Sequence, residues 1–130
     1  FLYGCYEPVR AFKLEMASID SLHALRIEFK RLRYALEFFA AVLGSEAALV
    51  VEEVKAMQDH LGEINDAAVA IRLLQEFLQG EEPEIDTGVA AYLEHRQAEL
   101  SQLLATLPAA WDRFNRPQVR HDLALAIAHL

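Results

Sequence analysis

Four side chains in the stretch SLHALRIEFKRLRYALEFFAAVLG, Ser21 to Gly44, are spaced for one kind of chemistry. His23, Arg26, Lys30 and Arg33 follow one another in steps of three and four, so on an α-helix they share a single stripe. At about 1.5 Å per residue the stripe is roughly 15 Å long. Arginine meets a phosphate with a planar fork, lysine meets it as a point charge, and an imidazole donates once protonated. Evenly spaced cations of this kind suit a linear polyanion, because a phosphate chain offers repeated oxygens and no base edges. The same residues could instead form surface ion pairs with Glu37 and with acids on the next helix. Spacing alone leaves both readings open.

The stripe needs a helix to carry it. Leu22, Leu25, Phe29, Leu32, Leu36, Phe39 and Leu43 alternate steps of three and four, the seam of a helix packed on other helices. The first four seam positions are each followed by one of the four polar residues, so the stripe lies beside the buried line. Ser18 is the expected N-cap, with Asp20 near the positive helix end. Gly44 is expected to end the helix, and Ser45 to cap the next.

A second helix is expected over Glu46 to Gln79, with the seam Val54, Met57, Leu61, Ile64, Ala68 and Ile71. One position on runs another row: Lys55, Gln58, Gly62, Asn65, Val69 and Arg72. Asp59 and Asp66 lie close to the same face. The offset repeats that of the first helix, but this row is mostly uncharged. A mid-helix glycine costs about 1 kcal/mol relative to alanine. Gly62 therefore marks a kink, a close helix approach or room for a ligand.

The segment GEEPEID, Gly80 to Asp86, reads as a short acidic loop. A third helix is expected from Thr87 to about Leu107, with Val89, Leu93, Leu100, Leu103 and Leu107 inward. Arg96 falls within that seam, where a charge is costly unless it is paired or serves a ligand. Pro108 should break or kink the helix, with Trp111 and Phe114 anchoring the residues beyond it. Pro117 suits the first turn of a last helix reaching about His129. Arg113, Arg116 and Arg120 lie near its start, and a helix N-terminus attracts anions. At the other end, Pro8 is expected to open a short helix through about Met16. Residues 1–17 read as the remnant of an upstream connection, since the chain begins at Phe1 rather than Met. No strand pattern occurs. The expectation is one all-α domain over residues 1–130, an antiparallel helical bundle of about four main helices.

Composition narrows the function. Of the 130 residues 54% are hydrophobic, enough for a core, and the formal net charge of −8 argues against a general nucleic-acid binder. Charge is also segregated. Between Glu46 and Glu99 the only strong bases are Lys55, Arg72 and Arg96, whereas Arg26, Lys30, Arg31 and Arg33 face Glu28 alone. An acidic body with one basic strip disfavours loose anion binding and leaves a local site. No apolar run approaches the roughly 20 residues of a membrane span, and nothing at the start reads as a signal peptide. A single cysteine, Cys5, suits a reducing, cytoplasmic compartment.

The motifs of catalysis are missing. His23, His60, His95, His121 and His129 include no pair at metal-ligand spacing and no Glu-x-x-His. Neither a nucleophile elbow nor a phosphate-binding loop occurs. No metal, no cofactor and no enzymatic activity are expected. Two competitors to polyanion binding stand. One is a histidine phosphotransfer module using His23, with Arg26 and Lys30 steadying the phosphoryl group. The other is a purely structural helical interaction domain.

LHALRIEFKRLRYALEFF followed by VKAMQDHLGEINDAAVA resembles the CHAD family, α-helical domains named for a characteristic histidine. The first piece is similar to its His-x-Leu-Arg-x-x-x-Lys-Arg-Leu-Arg-Tyr helix, here His23 to Tyr34. The second is similar to its Gln-Asp-x-Leu-Gly-x-x-Asn-Asp helix, here Gln58 to Asp66. RFNRPQVR, Arg113 to Arg120, has the family's flavour as well. The resemblance implies binding of inorganic polyphosphate without chemistry, at a basic cavity and in some members at polyphosphate granules. It implies a site of His23, Arg26, Lys30 and Arg33, with Lys55 and Arg31 nearby; Arg96, Arg116 and Arg120 are further candidates from their places along the chain. Family members typically carry two copies of the histidine–arginine helix. This chain has one, similar to the second copy, so it reads as a C-terminal half. Its missing partner would be an N-terminal half-domain or a second copy of the chain.

Overall fold

The computed structural model describes residues 1–80 and 87–130, and most of the expected acidic loop lies outside them. Among the described residues the chain is all helical. Helices α1 (Leu2–Arg10), α2 (Ile19–Phe38), α3 (Ala47–Gln79), α4 (Thr87–Phe114) and α5 (Pro117–Ile127) follow in order, with a 3-10 turn at Leu14–Met16 between the first two. None of them is long and apolar enough to cross a membrane.

Helix α2 starts where its cap dictates. The Ser18 hydroxyl accepts from the Ser21 amide at 3.1 Å, and the Ser18 amide donates back to the Ser21 hydroxyl at 2.7 Å. Such reciprocal caps are worth about 1 kcal/mol. The seam buries as its period requires: Leu22, Leu25, Phe29, Leu32 and Leu36 are all in the core. The helix does not run to Gly44. It ends at Phe38, and i→i+3 bonds from Ala40 to Glu37 and from Val42 to Phe39 tighten the chain into turns. The reason is tertiary. The Gly44 amide donates to the Ala126 carbonyl of α5 at 3.1 Å. A Cβ on Gly44 would stand 2.5 Å from Cδ2 of His129, so glycine serves a close approach here and not a left-handed cap. Ser45 does not cap α3 either; the N-cap is Glu46, which makes no side-chain cap bond.

Two prolines sit inside helices rather than at their edges. Helix α1 spans Pro8 instead of starting there, and only two residues come after it before the helix ends. The opening residues bury Leu2, Cys5, Tyr6 and Val9 in the core. Helix α4 continues through Pro108 to Phe114. The lost bond to the Leu104 carbonyl costs about 3 kcal/mol in an ordinary helix interior. Continuing the helix buries Leu107 and Phe114, at roughly 1.5–3 kcal/mol each. Phe114 meets Phe29 edge-on at 4.8 Å between ring centroids, and Trp111 meets Phe12 at 5.8 Å.

Cross-contacts fix the directions. Arg33 meets Gln58, and Arg26 meets Gly62, so α3 runs antiparallel to α2. Glu53 pairs with Arg113, His60 bonds the Leu103 carbonyl at 2.8 Å, and Arg96 reaches the Asp66 carbonyl, so α4 runs antiparallel to α3. The core gathers around Phe29, Leu32, Leu36, Val54, Leu61, Phe114 and Leu123. Beyond Ala67, α3 and the first turns of α4 leave that core as a two-helix pair with Ile71 and Leu93 half-buried, and Leu100 is where α4 meets the core.

Candidate functional site

The polar row of α2 and the polar row of α3 face each other. Each is displaced one residue, about 100°, from its own seam, and antiparallel packing brings the two displacements to the same side. Arg33 Nη1 donates to Oε1 of Gln58 at 3.2 Å, while Nε pairs with Glu37 Oε1 at 3.3 Å. One helical turn toward the start of α2, the Lys30 ammonium lies exposed, 5.8 Å from the Tyr34 ring centroid. The next cation, Arg26, lies over Gly62.

Arg26 is the least satisfied member. Its Nε is buried without a hydrogen-bond partner. It borders a cleft of about 330 Å³ shared with Gln58, Gly62, Asp59, Glu63 and Asp66. None of those three carboxylates forms an ion pair with it among the described residues. Gly62 does not break α3, which is continuous across it. Its missing side chain leaves clearance beneath the Arg26 guanidinium, whose Nε would stand 3.4 Å from a Cβ there.

His23 is exposed at the far end of the row. It opens on a larger cleft of about 580 Å³, whose polar lining adds Asp20, Asn65, Arg72 and Gln75. Neither Asp20, Asn65, Arg72 nor Gln75 is among the expected site residues. The signal exists, since Asn65 and Arg72 belong to the second polar row, but it gains meaning only once that row is known to face α2.

The remaining candidates lie elsewhere. Lys55 is exposed on α3, one turn before Gln58, at the Arg33 end of the groove. Arg31 turns away from the row, pairs with Glu28 at 3.5 Å and borders an apolar hollow with Phe1, Tyr34 and Phe38. Arg96 is paired, as a charge in a seam must be: Nη1 meets Glu99 Oε1 at 2.8 Å. It fastens α4 to α3 and does not join the row. Arg116 and Arg113 both grip Glu53, at 3.0 and 3.2 Å. Glu53 stands nine residues from Gly62, about half a turn around α3, so this cluster sits behind the groove. The hydrogen bonds that Arg113 donates to Glu53, together with the carboxylate's charge, raise the Arg113 pKa above the usual arginine value. Arg120 is exposed on α5, within electrostatic reach of Tyr6 on α1. The structure therefore brings together His23, Arg26, Lys30 and Arg33, with Lys55 at one end and Arg72 at the other.

The bundle is all-α, and the basic row of α2 is opposed by amides and a glycine of α3. The family model described as CHAD domain matches residues 7–75. That match takes in α2 and most of α3, including both polar rows, and covers more than half of the chain. The protein belongs to the CHAD family. No curated protein and no solved structure matches the chain.

Proposed function

We propose that the groove between α2 and α3 binds inorganic polyphosphate, and that the chain acts as a non-catalytic binding or targeting module. One observation carries the reading. The cations of α2 stand in line along a groove whose opposite wall offers uncharged amides at Gln58 and Asn65 and bare backbone at Gly62. A polyanion laid there meets cations on one side and the side-chain amides of Gln58 and Asn65 on the other, with the carboxylates of Asp59, Glu63 and Asp66 at the edge of the cleft beside Arg26. CHAD domains are associated with polyphosphate binding in general, which agrees with that chemistry. The cytoplasm, and polyphosphate granules within it, are where such a module would work.

A partner fits the same reading. Around α2 the seam, the cation row and a third row of Ile27, Arg31, Tyr34 and Phe38 succeed one another at about 100° steps. Ile27, Tyr34 and Phe38 are exposed, as is Phe1 beside them. The cations thus lie between α3 and an uncovered apolar band. A second half-domain, or a second copy of the chain, seated on that band would close the open side of the groove.

Titration calorimetry with long-chain polyphosphate tests the proposal. Replacing Arg26, Lys30 and Arg33 together by alanine should weaken binding roughly a hundredfold or more at low salt and flatten its salt dependence. Unchanged affinity in that variant sinks the reading. Acid-labile phosphate on His23 with weak polyphosphate binding would favour phosphotransfer instead, and neither activity would leave a structural module.

A further inference from the structure

Resting on the polyphosphate reading, we infer that the anion path does not stop at His23 but continues into the cleft beyond it, with Arg72 as its last cation. Helix α3 outlasts α2 at this end. Arg72 lies seven residues past Asn65, so it extends the line of cations by about 10 Å, to roughly 25 Å in all. The cleft of about 580 Å³ takes His23 from one wall and Asn65, Arg72 and Gln75 from the other. Its space is sufficient for phosphate groups and their water.

Arg72 is also uncommitted. Arg31, Arg33, Arg96, Arg113 and Arg116 each hold a carboxylate, whereas Arg72 is exposed and makes no ion pair among the described residues. An arginine that borders a cleft with an imidazole and two amides, and neutralises nothing there, has its fork available for an anion. The Asp20 carboxylate lines the same cleft, and Glu76 comes one turn later on α3. Asp20 thus lies between His23 and Arg72, and Glu76 bounds the path: no base occurs after Arg72 before α3 ends at Gln79. The site is therefore finite, running from Lys55 and Arg33 to Arg72, and a chain must be long enough to reach from end to end to use all of it.

The test is a titration of the full chain with long-chain polyphosphate over a salt series, comparing Arg72→Gln with Arg10→Gln. The second variant removes the same charge from α1, where Arg10 pairs with Glu7 away from the groove. Arg72→Gln should bind about tenfold more weakly at low salt. Its salt slope should fall by about 0.7, the value per phosphate contact on a single strand. Arg10→Gln should bind as the unaltered chain does. If Arg72→Gln binds no more weakly than Arg10→Gln, while the triple Arg26, Lys30 and Arg33 variant loses binding, the extension is wrong and the groove reading stands. If the triple variant binds normally, both fall.

Discussion

The guanidinium of Arg26 lies over Gly62 so closely that a Cβ on that glycine would stand 3.4 Å from Nε. That is ordinary van der Waals contact, not a clash. Gly62 also has no positive φ to require glycine. Neither packing nor backbone geometry explains a residue that costs the helix about 1 kcal/mol. What the glycine does provide is clearance under Arg26, beside the cleft that the guanidinium borders and next to Nε, a buried atom with no partner of its own.

Gly62→Ala should therefore move stability and binding in opposite directions. Unfolding free energy should rise by about 1 kcal/mol, read as a higher midpoint in a denaturant titration. Polyphosphate affinity should fall several-fold, because the new methyl fills the clearance beneath the guanidinium and narrows the cleft. A variant that is more stable and binds equally well would remove any functional role for the glycine.

Alkaline pH should act through Tyr6. Burial of this phenol raises its pKa above 10.0, outweighing the opposing pull of Arg120 and then Arg10. The folded chain thus keeps a proton that the unfolded chain releases from about pH 10 upward. Where the unfolded state binds fewer protons, stability declines as pH rises. The contribution is whole below the unfolded value and is lost as pH climbs through the folded one. Melting temperatures across that window should fall for the unaltered chain and fall less steeply for Tyr6→Phe. Parallel slopes would place the alkaline sensitivity elsewhere.

Much of this arrangement is legible in the residues themselves, because period is local information. Leu25, Phe29, Leu32 and Leu36 mark a buried seam by spacing alone, and the one-step offset of Arg26 and Lys30 places them beside it. The same offset at Gln58, Gly62 and Asn65 means that two antiparallel helices must oppose their rows. Spacing does not carry any event decided by a distant partner. The end of α2 at Phe38 results from the bond between the Gly44 amide and Ala126, 82 residues further on. The passage of α4 through Pro108 results from where Phe114 finds Phe29. By spacing Arg116 is available for an anion, because Glu53, its partner, is 63 residues away. Arg72 gains its role only from α3 outlasting α2.

The apolar band of α2 supplies the last prediction. Phe38 is 81% exposed and Phe1 85%; with Tyr34 they border one hollow on the open flank of the cation row, and Ile27 is exposed further along the same row of α2. Apolar patches of this kind mark interaction surfaces more often than idle ones. Because the band and the row are neighbours on one helix, whatever covers the first also walls the second. A second copy seated there would bring its own row alongside, so association and polyphosphate binding should reinforce each other. Light scattering over a concentration series should show a mass that rises above that of one chain and rises further with polyphosphate. Phe38→Asp should hold the chain as a monomer, leave its melting temperature nearly unchanged and weaken polyphosphate binding, although residue 38 lies outside the row. A monomer at every concentration, with or without polyphosphate, would exclude the second copy and leave a different half-domain as the partner for this face.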